Sequence, residues 1–114
     1  MDKNLLIDAS ILANALGEDL AQVNKYISLF MESTREGLVE IDAALDLANL
    51  QAAAAIGHRI KSAALTVGAI RFADLCQALE NLKDSEDVEQ GSEIVAEMHL
   101  MLTLIEEQVK SDSS

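Results

Sequence analysis

The sequence contains two histidines, His58 and His99, and only His58 has a lysine one helical turn away, Lys61. Histidine is a nucleophile that can carry a covalent group. A phosphoryl group on its ring brings negative charge and several acceptor oxygens, and a lysine at i+3 offers a point cation to neutralise part of that charge. Ala54, Ala55, Ser62 and Leu65 surround the pair. Small neighbours matter for access. A partner's active site must close over His58 to deliver a phosphoryl group in line, and a large side chain at position 55 or 62 would block it. Phosphoryl transfer depends mostly on positioning and electrostatics. This face supplies an acceptor and one charge, so the remainder must come from a partner. The sequence has no Gly-rich phosphate loop and no Gly-Lys-Ser/Thr run to cradle ATP. The chain is therefore expected not to phosphorylate itself, and to be no enzyme in its own right.

The elements that must position this pair are helical. Leu20, Val23, Ile27, Phe30, Thr34, Leu38, Ile41 and Leu45 alternate in steps of three and four. A helix over residues 19–46 would be about 42 Å long, with Ser33, Thr34 and Gly37 as weak formers that admit a bend. Asp46 and Asn49 supply loop and N-cap chemistry. A second long pattern, about 50–67, has Ala53, Ile56, Ile60, Ala63 and Val67 as its stripe, and Gly68 stands where a C-terminal cap belongs. A shorter helix follows with Phe72, Leu75, Cys76, Leu79 and Leu82 on one face. Lys83 to Asp87 is polar, with Asp84 and Ser85 as candidate caps, and a last helix spans about 87–109. A short amphipathic piece over residues 5–16 ends at Gly17 and is expected to cap the bundle. Short connections make the four main helices antiparallel neighbours. The expected fold is all-α, an up-down-up-down four-helix bundle forming one domain over residues 1–114.

At 100° per residue, His58 lies about 160° from both Ile56 and Ile60. It points away from the core stripe. Leu65 falls about 20° short of two full turns from His58 and shares the outward face. Ala54 and Ala55, on the preceding turn, complete a small apolar patch around a polar centre, with Ser62 between His58 and anything that approaches. A monomer has no folding reason to expose such a patch, so Ala54, Ala55, Ser62 and Leu65 are the expected docking residues. A partner that must leave after each transfer is transient, so the buried area is expected to stay below about 1,200 Å².

Composition removes other classes. Among 114 residues, 8 are Lys or Arg and 20 are Asp or Glu, a net charge of −12. That excludes a basic nucleic-acid footprint and docking on an anionic membrane surface. Half of the residues are hydrophobic, with no Pro, no Trp and three aromatics. This is enough apolar mass for a core, in the vocabulary of packed helices. The one cysteine, Cys76, cannot form an internal disulfide and fits a reducing compartment. It lies on an apolar stripe and reads as a small buried hydrophobe. No apolar run has the length of a membrane span, and the N-terminus does not read as a signal peptide. The expectation is a cytoplasmic, freestanding monomer, with Met at its start and a short polar tail.

The run His58-Arg59-Ile60-Lys61-Ser62-Ala63-Ala64-Leu65-Thr66-Val67-Gly68-Ala69 resembles the signature of histidine phosphotransfer (HPt) domains: His, any residue, apolar, Lys, then small residues, with Gly ten after the His. Phe72 to Glu80 is similar to that family's next helix, and Leu29 to Ser33 resembles the middle of its first long helix. The likeness runs from about residue 5 to 109. The family carries Gly directly after the Lys, where this chain has Ser62, which is still small. The resemblance implies a four-helix-bundle phosphocarrier in a multistep phosphorelay, taking a phosphoryl group from the aspartate of one response-regulator receiver domain and passing it to another. It implies His58 as the phosphorylated residue through Nε2, Lys61 as the stabiliser of the phosphoryl group, and Gly68 as structural. The implied partners are receiver domains or a hybrid sensor histidine kinase. No cofactor is expected, any Mg²⁺ requirement lying in the receiver.

Other assignments are weaker. His99 flanks the last helix's stripe and reads as a boundary histidine. A two-histidine metal site would need His58 and His99 to meet, and His58 faces outward. A helical adaptor that binds receivers without carrying phosphate would have no need of the His58–Lys61 pair. A phosphohistidine phosphatase would need a second nucleophile or a metal cluster, and no spacing supports either.

Overall fold

Asp19 and Asn49 begin the first two helices as the N-cap rule requires. The Asp19 carboxylate accepts from the backbone N–H groups of Ala21 and Gln22, and the Asn49 side chain accepts from that of Ala52. The structure is a computed structural model that describes residues 19–113, together with residues 7, 8, 10, 14 and 17. Its helices are α1 (Leu20–Asp46), α2 (Leu50–Thr66), α3 (Ile70–Glu80) and α4 (Val88–Ser113). There is no strand among the described residues. The last helix is capped by Asp87, whose Oδ1 accepts from the N–H of Gln90 at 3.0 Å, and not by Asp84 or Ser85. The turn over residues 81–84 carries the chain past α3, and it moves the cap to the last acidic residue before the new helix. The expected N-terminal helix over residues 5–16 falls mostly outside the described residues.

Pairs across the interfaces fix the directions. Glu40 of α1 meets Arg59 of α2, His58 of α2 meets Glu80 of α3, and Asp42 of α1 meets His99 of α4. Arg35 and Glu106 form a second α1–α4 ion pair. In that interface the α4 partner rises from 99 to 106 as the α1 partner falls from 42 to 35. The same inversion relates His58–Glu80 to Lys61–Gln77. Each helix packs against its sequence neighbours, and α1 closes the ring on α4. The long axis of 44 Å matches the length of α1.

The apolar stripes meet inside as the periodicity predicts. Phe72, Leu38, Ile41, Leu79, Met98 and Ile105 are fully buried. Phe30 and Phe72 join α1 to α3 across the core, edge to face, with ring centroids 6.0 Å apart. Gly37 does not break α1, which runs through it. It is a point of close approach, since a Cβ there would stand 2.4 Å from Cδ1 of Ile60.

Candidate functional site

The α2 wheel, measured from His58, explains what each neighbouring residue meets. Residues turned one way from His58, Ala54 by about 40° and Lys61 by about 60°, face α3. Residues turned the other way, Ser62 and Ala55, stay exposed, and Arg59 reaches Glu40 of α1 at 3.2 Å. His58 stands between them, its side chain 65% exposed. Leu65 is 46% exposed on the same ridge. Ala54 is only 3% exposed, which corrects its expected place in a docking patch. It forms part of the wall of a cavity beside His58, together with Glu80 of α3 and Lys83 of the turn that follows.

The side chains that complete the site come from α3. The Glu80 carboxylate spans the pair: Oε2 lies 2.9 Å from Nδ1 of His58, and Oε1 lies 2.6 Å from Nζ of Lys61. Nζ of Lys61 also donates to Oε1 of Gln77 at 2.8 Å, and the Gln77 amide donates to Asn81 at 2.9 Å. The hydrogen bond from Lys61 is the chief reason the Glu80 carboxyl is held below the ordinary carboxylate range. The bond from His58 adds to it, and together they outweigh the cost of partial burial. An ionised carboxylate can only accept. Nδ1 of His58 therefore donates to Glu80, and in the neutral ring the lone pair lies at Nε2. Lys61 is not a freely mobile cation. Its side chain is 19% exposed and tied to two partners on α3.

Gly68 closes α2. Its φ of +79° suits glycine, and its N–H donates to the carbonyl of Leu65 at 3.2 Å. A Cβ there would fall 2.2 Å from the Asp8 carbonyl oxygen, while the N–H of Asp8 donates to the Gly68 carbonyl at 2.9 Å. The turn thus sets the α2–α3 register and seats the segment around residue 8. Cys76 is fully buried behind Glu80. Burial, with the Glu80 charge second, pushes its thiol up to about 12. It is not a nucleophile at neutral pH. His99 is elsewhere, on the α1–α4 face, with Nε2 2.9 Å from the Asp42 carboxylate.

Glu80 and Gln77 are the site residues that reasoning on one helix misses. A signal existed: they are spaced i, i+3 on a helix antiparallel to α2, the same spacing as His58 and Lys61. Two such pairs on facing antiparallel helices can lie opposite one another.

The sequence profile of the Hpt domain matches residues 25–108, most of the chain and all of this site. The chain belongs to the Hpt domain family. It is a histidine phosphotransfer protein of phosphorelay signalling, a phosphocarrier and not a kinase, and Hpt domains work with receiver domains and kinases in such relays. Its fold is similar to that of histidine-containing phosphotransfer protein B (HptB) from Pseudomonas aeruginosa PAO1, with a TM-score of 0.84 and 20% sequence identity. That match covers 94% of this chain and 93% of the HptB chain. No curated protein sequence gives a significant match. Among the described residues, no helix of this Hpt protein is long and apolar enough to cross a membrane.

Proposed function

We propose that His58 is the residue that carries the phosphoryl group. It takes the group at Nε2 from the aspartyl phosphate of one receiver domain and yields it to the aspartate of another. One observation carries this reading: Glu80 holds Nδ1–H at 2.9 Å while the ring stands 65% exposed, so the free lone pair faces outward. As the Nε2–P bond forms, the P–O bond to aspartate breaks and its electron pair stays on the departing carboxylate. The imidazole becomes cationic, and the Glu80 carboxylate offsets that charge through Nδ1–H. Lys61, anchored by Glu80 and Gln77, keeps its cation near the transferred group. The return step reverses each bond change. Ser62, Ala55 and Leu65 form the exposed surround against which a receiver docks.

In this reading the chain has no ATP site and no autokinase activity, needs no cofactor of its own, and relies on the receiver for Mg²⁺. It acts as a cytoplasmic monomer. The test is incubation with a phosphorylated receiver domain, with ATP alone as the control. The expected product is an acid-labile, alkali-stable label on this chain, and none from ATP. An acid-stable label, or a label from ATP alone, would overturn the reading.

A further inference from the structure

A cavity of about 370 Å³ opens beside His58, lined by Gln51, Ala54, Ala55, His58, Glu80 and Lys83. Two of these residues are alanines, so the space next to the ring is kept open by short side chains. Lys83 reaches it for a reason of local geometry. The turn after α3 continues the helical path, and the N–H of Lys83 donates to the carbonyl of Glu80 at 3.1 Å. This places Lys83 at i+3 from Glu80, on the side of α3 that faces His58.

The charges at the site do not balance without it. Lys61 is paired with Glu80 at 2.6 Å, so the two formal charges cancel. A phosphoryl group brings roughly −1.5 to −2. Arg59 is turned toward α1 and paired with Glu40. Lys83 makes no side-chain hydrogen bond or ion pair among the described residues, although Asp84 and Glu86 line an adjoining trough that shares Gln51 and Lys83 with the cavity. A long cation without a counter-ion, at the edge of an open cavity beside the His58 ring, suits an incoming phosphoryl dianion better than a pinned one.

We propose that Lys83 is a second phosphoryl-binding residue, whose ammonium enters the cavity beside His58 and contacts the phosphoryl oxygens on Nε2. This rests on the assignment of His58 as the carrier. Lys61 and Glu80 orient the ring and set its tautomer, and Lys83 supplies the uncompensated charge.

The test uses phosphoramidate as a small donor, which separates phosphoryl binding from receiver docking. In that reaction the donor's P–N bond breaks, the Nε2–P bond forms and ammonia leaves. Lys83→Ala is expected to slow labelling about three- to fivefold at low salt, the range of a solvent-exposed charge contact, and less at 1 M salt. Lys83→Arg should restore the rate. A phosphorus NMR titration should show the phosphohistidine's second ionisation moved upward in Lys83→Ala, because a nearby cation favours the dianion. That ionisation is a readout that a purely structural residue would leave in place. Unchanged rate and titration in Lys83→Ala, or failure of Lys83→Arg to restore them, would overturn the role of Lys83 while leaving His58 in place. Persistence of the label in His58→Gln would overturn both.

Discussion

The bundle holds two histidine–carboxylate pairs with the same separation, and we propose phosphoryl carriage for only one of them. On the α2–α3 face, Glu80 holds His58 at Nδ1, 2.9 Å away. On the α1–α4 face, Asp42 holds His99 at Nε2, also 2.9 Å away. Both rings are largely exposed and both pairs cross an antiparallel interface. The difference lies in which nitrogen is engaged and what else is present. His58 is engaged at Nδ1, with Lys61 one turn away and Lys83 on the wall of the adjoining cavity. The cavity at His99 is lined by Asp42 and Asp46 with no lysine or arginine among its walls. A dianion arriving there would meet only like charge. A histidine bonded to a carboxylate is thus a common way to tie two helices. On the proposed reading, it becomes a phosphoryl acceptor when the other ring nitrogen is left free and a cation is held one turn away.

The largest effect should separate the two rings completely. With a phosphorylated receiver as donor, His58→Gln is expected to abolish the acid-labile label and His99→Gln to leave it at the wild-type level. A label that moves with His99 would invert the comparison.

Removing the carboxylates should come next. Glu80→Ala takes away the acceptor that keeps Nδ1 protonated, and transfer to His58 should fall about ten- to a hundredfold, the range for loss of a group that orients a functional histidine. Asp42→Ala should leave transfer unchanged. Glu80→Gln keeps an acceptor oxygen and should retain more activity than Glu80→Ala. The ordering of these three variants in a transfer time course is the measurement.

Lys61→Ala should slow transfer by up to about 2 kcal/mol, some thirtyfold, as fits a partly exposed charge-assisted contact. Unchanged kinetics at low ionic strength would reduce Lys61 to a support for Glu80.

Acid should weaken the α2–α3 face through Glu80. The Glu80 carboxyl is lowered in the folded state, chiefly by Lys61. Its ionised form therefore contributes stability that is full above the unfolded carboxylate value of about 4.3 and is lost as pH falls through the lower folded value. Denaturant melts between pH 5 and the acid limit should show a loss that Glu80→Gln flattens. An unaltered slope in that variant would mean the ion pair adds nothing to folding.

The smallest effect is on stability at the ridge. Leu65→Ala should weaken receiver binding in a titration and shift folding stability by less than about 0.5 kcal/mol. A cost of 2 kcal/mol or more would make Leu65 a core residue, and the outward rotation of His58 would be wrong.

The helical period within one chain segment carries far. It placed His58 opposite Ile56 and Ile60, Leu65 on the outer ridge and Cys76 in the core, because the angle between two residues on a helix depends only on their separation. The caps Asn49 and Gly68 were equally legible, since capping is local chemistry. The sequence pattern also held the family likeness, in the run from His58 to Ala69. What a helical wheel cannot contain is the neighbour. Ala54 and Leu65 sit at similar angles from His58, and Ala54 alone is covered, where it shares a cavity wall with Glu80 and Lys83. Glu80, Gln77 and Lys83 enter the site only through the antiparallel register of α3, set by the three-residue turn at Gly68. An angle on a helix is a one-dimensional property. The tautomer of His58, the pinning of Lys61 and the cavity beside the ring depend on distances between helices, and packing decides those.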